Sequence, residues 1–210
     1  MDKLDTIADR IRASFDARTS ARDQTLSQVR TLTRYSAHAI RAVHRNEMDT
    51  ALENLNLAKN LADGFRQNLK NYPDLYYTGY TQDSLKEYVE ANIVFALLGD
   101  GHLPTPEDLN VEYATYLRGL AEAVGELRRR CLDILRQGHS SEAERLLEYM
   151  DDIYAVLVTI DYPDAITNGL RRLTDIARSI IERTRGDITL SLRQEKLEQS
   201  LRRLETRLDQ

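Results

Sequence analysis

Two acidic pairs at helical spacing are the residues of this 210-residue sequence best suited to chemistry. Glu87 and Glu90 lie three apart in Leu85-Lys-Glu-Tyr-Val-Glu-Ala91, and Glu122 and Glu126 lie four apart in Leu120-Ala-Glu-Ala-Val-Gly-Glu-Leu127. Either spacing puts both members of a pair on one helix face. Two such helices side by side can gather four carboxylates around a divalent cation, Mg2+ or alternatively Mn2+, because hard cations take oxygen ligands. That constellation serves hydrolysis of a phosphoester or a pyrophosphate. The two pairs are not equally telling. Glu87 and Glu90 continue the stripe of Val94, Leu97 and Leu98, where an apolar face is expected. Carboxylates are rarely buried unless they are paired or bound to metal. Glu122 and Glu126 instead flank the stripe of Tyr116, Leu120, Val124 and Leu127, on a face that solvent can equally claim. The chain has 34 acidic residues, so chance pairing on solvated faces is the bland alternative for each.

A basic stripe points to a polyanionic ligand. Arg30, Arg34, His38, Arg41 and Arg45 follow one another at spacings of 4, 4, 3 and 4. At 100° per residue they fall within about 80° of one helix face. Guanidinium groups in a row match phosphates, and affinity carried by them falls with salt. The alternative is a solvated flank whose arginines make ion pairs within the protein. Net charge is −5, so a nucleic-acid site must be such a local stripe and not a global positive field.

Other chemistries find no support. No Gly is followed by Lys, so there is no Gly-x-x-x-x-Gly-Lys-Ser/Thr phosphate loop. None of the four histidines stands three residues after a Glu, which removes the di-iron Glu-x-x-His motif. The lone cysteine, Cys131, cannot form an intramolecular disulfide; it is expected in the core of its helix and fits a reducing cytoplasm. The charged start Met1-Asp-Lys-Leu-Asp does not read as a signal peptide. No apolar run approaches the ~20 residues that span a bilayer, so no membrane partner is expected.

Charged residues at 30%, with only 9 Gly and 4 Pro, predict an all-α chain, read as a single domain over 1–210 with about six or seven helices. A first helix is predicted from about Asp2 to Arg45, since that stretch holds no Gly or Pro. Its apolar residues Leu4, Ile7, Ile11 and Phe15, then Leu26, Val29, Leu32, Ile40 and Val43, keep a helical period. After a break at Asn46–Asp49, a second helix must stop by Tyr72, ahead of Pro73. Residues 72–79 read as an aromatic loop, and a third helix runs from Thr81–Ser84 to Gly99. Thr105-Pro-Glu-Asp108 is expected to open a short helix, leading into a longer one from about Asn110 to Gln137. Ser141-Glu-Ala-Glu144 is a capping box for a helix to about Ile160. Past Pro163 helix is expected to the end, bent at Gly169 or Gly186. Leu197, Leu201, Leu204 and Leu208, at 4-3-4 spacing, form a seam meant for another helix. Oligomerisation is therefore expected.

Glu87-Tyr-Val-Glu-Ala91, Tyr116-Leu-Arg-Gly-Leu-Ala-Glu-Ala-Val-Gly-Glu-Leu127 and Ser36-Ala-His-Ala-Ile-Arg-Ala-Val-His-Arg45 resemble, in order and separation, the translin superfamily and its translin-associated factor X (Trax) branch. The resemblance implies an all-helical, translin-like subunit of a hollow ellipsoidal homo-oligomer, with an octamer favoured. It implies metal-dependent endoribonuclease activity on single-stranded or short RNA inside that shell. Mapped onto this chain, the family's acidic site is Glu87, Glu90, Glu122 and Glu126. The third position is often Asp in the family and is Glu122 here, one methylene longer. Translin-type subunits lack the complete acidic set and mainly bind nucleic acid, so a non-catalytic RNA or single-stranded DNA binding protein is the alternative. A third class, the all-α nucleoside-triphosphate pyrophosphatases, requires Glu-x-x-Asp on the later helix. Gly125 stands where that Asp would be.

Overall fold

The computed structural model describes residues 2–99, 101–138 and 140–208, and among them there is no strand. The described residues form eight helices: α1 Asp2–His44, α2 Met48–Asn68, α3 Pro73–Tyr76, α4 Gly79–Leu98, α5 Tyr113–Leu135, α6 Ser140–Leu157, α7 Asp164–Thr167 and α8 Leu170–Leu208. Six are long, while α3 and α7 are single turns. None is long and apolar enough to cross a membrane. The chain folds as two compact units, Met1–Tyr116 and Leu117–Gln210, with the division inside α5.

In the first unit α4 is the central element. It is buried on almost every side, with Leu85, Tyr88, Val89, Ile93 and Val94 closed off from solvent. A helix enclosed all round, and not along one stripe, belongs to a core. α1, through its second half, and α2 both pack against it. In α2 the buried positions are Ala51, Leu55, Ala58, Ala62 and Phe65, at 4-3-4-3 spacing. Alanines at such positions let helix axes approach closely, since separation follows the side chains at the contact. Ala39 and Ile40 of α1 meet Leu55 of α2 and Ala91 of α4 in this core, with Phe95 against them.

The helix ends follow from local chemistry. α1 stops because Asn46 is left-handed (φ 60°). Its amide donates to the Val43 carbonyl at 2.9 Å and the Glu47 amide to that of Ala42 at 2.9 Å, which is a Schellman cap with Asn in the glycine role. Single-turn α3 is closed from the next helix: the Thr78 and Thr81 hydroxyls both donate to the Leu75 carbonyl, and the Gln82 amide to that of Tyr76. The expected short helix after Thr105 is only one hydrogen-bonded turn. Thr105 and Asp108 cap its start reciprocally. Asn110, left-handed at φ 53°, closes it two residues later, with Val111 donating back to Pro106 at 3.1 Å. A left-handed Asn110 also prevents the next helix from starting there, so α5 begins at Tyr113.

In the second unit α6 and α8 pack through Leu146, Met150, Ile153, Ile181 and Ile188. Arg185 Nη2 lies 2.7 Å from both carboxylate oxygens of Asp151. The bend expected at Gly169 or Gly186 falls at Gly169, where Asn168 (φ 56°) and Gly169 (φ 83°) are both left-handed and separate α7 from α8. α8 continues without a break through Gly186. Two long stretches stay outside either core. On α1, Leu4 (71% exposed), Ile7, Ile11 and Phe15 (64%) face solvent, and so does the α8 seam of Leu197, Leu201, Leu204 and Leu208.

The two glycines should respond oppositely to alanine. Gly186→Ala adds a methyl into open space within a helix and should stabilise by about 1 kcal/mol. Gly169→Ala forces a Cβ into a left-handed position and should cost about 1–2 kcal/mol. Thermal unfolding followed by circular dichroism should show melting temperatures moving in opposite directions, by a few degrees each.

Candidate metal centre and nucleic-acid interface

Glu87 and Glu90 stand midway along α4, where its backbone is fully hydrogen-bonded and enclosed. Glu90 is only 9% exposed, and Glu87 is half-buried. A buried carboxylate must find a cation or donors, because isolated ionised groups are costly away from water. One cation is built in: Lys86, also 9% exposed, brings Nζ to 3.5 Å from Glu87 Oε1.

The first turn of α5 is tied down within the first unit. Thr115 donates its hydroxyl to Gln82 Oε1 of α4 at 2.6 Å, while the same Gln82 caps α3 through its NH2 group. The Tyr116 hydroxyl donates to the Pro104 carbonyl at 2.8 Å. Each such buried bond contributes on the order of 1 kcal/mol, and losing one partner costs more than that. Glu122 follows Thr115 by seven residues, two helical turns, and so shares its face of α5. An oxygen from each of Glu87, Glu90 and Glu122 lies within 4.8 Å of the others. Three of the four expected carboxylates are thus gathered. Glu126, one turn beyond Glu122, lies outside that group; its half-buried side chain pairs with Arg129 at 3.6 Å. Between Glu122 and Glu126, Gly125 leaves open space where a Cβ would stand.

This donor set suits some metals and not others. It is all oxygen and formally trianionic, with no imidazole or thiolate, which favours Mg2+ or Mn2+ over zinc or a soft ion. The bare Gly125 leaves the α5 backbone approachable beside two of the acids. Cys131, further along α5, takes no part: it is fully buried and its thiol donates to the Ala143 carbonyl at 3.7 Å. Burial raises its pKa to about 12, against the lowering effect of Arg128. It is an inert core residue, as its sequence setting implied.

The basic stripe forms as a continuous face. Arg30, Arg34, His38, Arg41 and Arg45 are all exposed, opposite the buried Leu32, Ser36, Ala39 and Val43 of the same helix. The expected alternative was a flank of internal ion pairs. Among the described residues none of the four arginines has a carboxylate partner; Arg34 lies over the Tyr35 ring, 5.5 Å from its centroid. Lys86 and the Gln82–Thr115 tie were not singled out by sequence reasoning. The available signal was the spacing of four from Lys86 to Glu90, which puts a lysine on the face of an acid in an otherwise apolar helix.

Comparison with known proteins agrees with this architecture. The family model described as Translin family matches residues 20–208. An uncharacterized protein, MJ0175, of Methanocaldococcus jannaschii is 32% identical over 195 residues, covering 91% of this chain and 85% of the relative. The structure of AfC3PO in complex with duplex RNA is similar with a TM-score of 0.80 and 32% identity, over 87% of this chain and 95% of that one. Apo-NeC3PO matches with a TM-score of 0.80 at 23% identity, over 87% and 96% of the two chains, which speaks for the fold alone. With its family match spanning nearly the whole sequence, the chain belongs to the Translin family.

Proposed function

We propose that this protein is a metal-dependent endoribonuclease that works as a closed homo-oligomer. The observation that carries the reading is the group of Glu87, Glu90 and Glu122, with oxygens within 4.8 Å of one another. In it, Glu87, Glu90 and Glu122 would hold Mg2+ or Mn2+, with Glu126 as the fourth carboxylate of the expected set. A cation bound there would activate water and neutralise charge developing on the phosphate. The protein's own contribution is positional. α4 fixes two carboxylates rigidly, the Gln82–Thr115 bond ties α5 to α4, and Gly125 leaves room for a substrate strand. Arg30, Arg34, His38, Arg41 and Arg45 supply affinity for the RNA backbone and not chemistry. Similarity to AfC3PO, solved with duplex RNA, supports RNA as the ligand. A lone buried thiol suits a reducing compartment, and we place the protein in the cytoplasm.

One observation favours a second reading. The pairs Lys86–Glu87 and Glu126–Arg129 are what a non-catalytic RNA-binding protein would use to neutralise structural acids. Cleavage assays separate the two. With Mg2+, labelled RNA should be cut, EDTA should stop it, and Glu90→Ala should lose more than about 100-fold in rate with helicity unchanged. A short single strand and a duplex of equal length, assayed side by side, read the substrate class. Near-normal cleavage by the variant would place the chemistry elsewhere.

Affinity should map to the stripe. Arg34→Ala with Arg41→Ala should weaken RNA binding, and the slope of log K against log salt should flatten by roughly 1.4 to 1.8. An unchanged slope would make that face a subunit contact or a plain solvated flank.

Assembly should map to the uncovered apolar faces. Light scattering should give several times the 24.2 kDa chain mass, with an octamer favoured. Leu201→Glu, a charge placed in the α8 seam, should reduce that mass. A wild-type monomer at micromolar concentration would defeat the closed assembly.

A further inference from the structure

Lys86 is an unusual residue for its position. A lysine with 9% exposure on an enclosed helix gives up most of the hydration of its ammonium, and long cationic side chains normally snorkel to avoid this. Neighbouring residues of a helix point about 100° apart, so Lys86 and Glu87 do not face each other by default. Their 3.5 Å contact requires the lysine stem to bend round the helix towards the acid. Lys86 also precedes Glu90 by four residues, on the same face of α4. Its ammonium thus stands beside Glu87, one of the three gathered carboxylates, on a residue that shares a helix face with a second, Glu90.

Resting on the metal-site reading above, we infer that Lys86 is the built-in counter-ion of the carboxylate group and sets how readily that group takes up a divalent cation. Three acids with oxygens within 4.8 Å repel one another strongly without a cation among them. The ammonium relieves that repulsion and keeps the carboxylates gathered in the metal-free protein. When a divalent cation arrives, the same ammonium opposes it, since like charges a few ångströms apart repel by more than a kcal/mol even at an effective dielectric near 20. Lys86 is therefore a positioning residue with two opposed effects: it supports the empty site and weakens its metal affinity. A lysine with only a packing role would do the first and not the second.

Mn2+ binding, followed by calorimetry and by electron paramagnetic resonance, tests this together with the melting temperature of the metal-free protein. Lys86→Met keeps the apolar stem, Lys86→Gln is a second neutral variant, and Lys86→Arg keeps the charge. Both neutral variants should bind Mn2+ more tightly, on the order of tenfold, while their metal-free forms melt at lower temperature. Lys86→Arg should stay near wild type in both measurements. Unchanged or weaker Mn2+ binding by a folded neutral variant overturns the inference even while the metal-site reading stands. Wild-type protein that binds no Mn2+, or Glu90→Ala protein that binds it equally well, removes the metal-site reading itself and this inference with it.

Discussion

The enclosure of α4 constrains everything around it. A helix surrounded by apolar neighbours, with Tyr88, Val89 and Val94 sealed off, must pair any charge it carries. It carries two at its centre, Lys86 and Glu90. The Lys86–Glu87 pair answers part of that requirement, and the gathering of Glu122 with the α4 acids sharpens it, because three clustered carboxylates call for a cation. Hydrophobic residues in the same positions would give a more stable helix, since buried ion pairs seldom outperform apolar packing. Charged residues at the centre of a core helix are what the proposed metal site would require.

Charge is distributed in two contrasting ways. The acids are close together, Glu90 buried and Glu87 and Glu122 half-buried, on an enclosed helix and its hydrogen-bonded neighbour. The stripe arginines are exterior, exposed and without carboxylate partners among the described residues. An arginine with no internal partner keeps all its donors for an external anion. Within the first unit, the α4 acids and the basic row thus lie on different helices, α4 and α1. The proposed cleavage of a phosphodiester would draw on both kinds of group.

Much of this was legible in the sequence, for definable reasons. α1 could be drawn almost to the residue, because 43 residues without Gly or Pro leave little else for the chain to do. The acidic pairs were visible because helical spacing translates directly into a shared face. Helix ends were less legible. Asn46 and Asn110 both turn left-handed and close Schellman-like ends, yet Asn is also an acceptable helical residue, so composition alone did not separate α5 from the turn before it. Gly169 and Gly186 look alike as letters. The first follows Asn168 and ends a helix, whereas the second lies within an unbroken apolar period and is simply carried along. Lys86 was overlooked because a lysine beside two glutamates resembles an ordinary solvated ion pair until burial is known.

The length of α1 has a consequence for how the protein comes together. At 1.5 Å per residue its 43 residues extend over roughly 65 Å, and the first twenty or so make little apolar contact with the rest of the chain. Such a stretch lacks the tertiary packing that supplies most of the stability of helices in proteins. Its helical state then depends on mass action, because whatever covers Leu4, Ile7, Ile11 and Phe15 also supplies the free energy that holds the backbone. Helicity and association become one equilibrium, so dilution should unwind part of α1 as subunits separate. The folded length of this element is a property of concentration as well as of sequence.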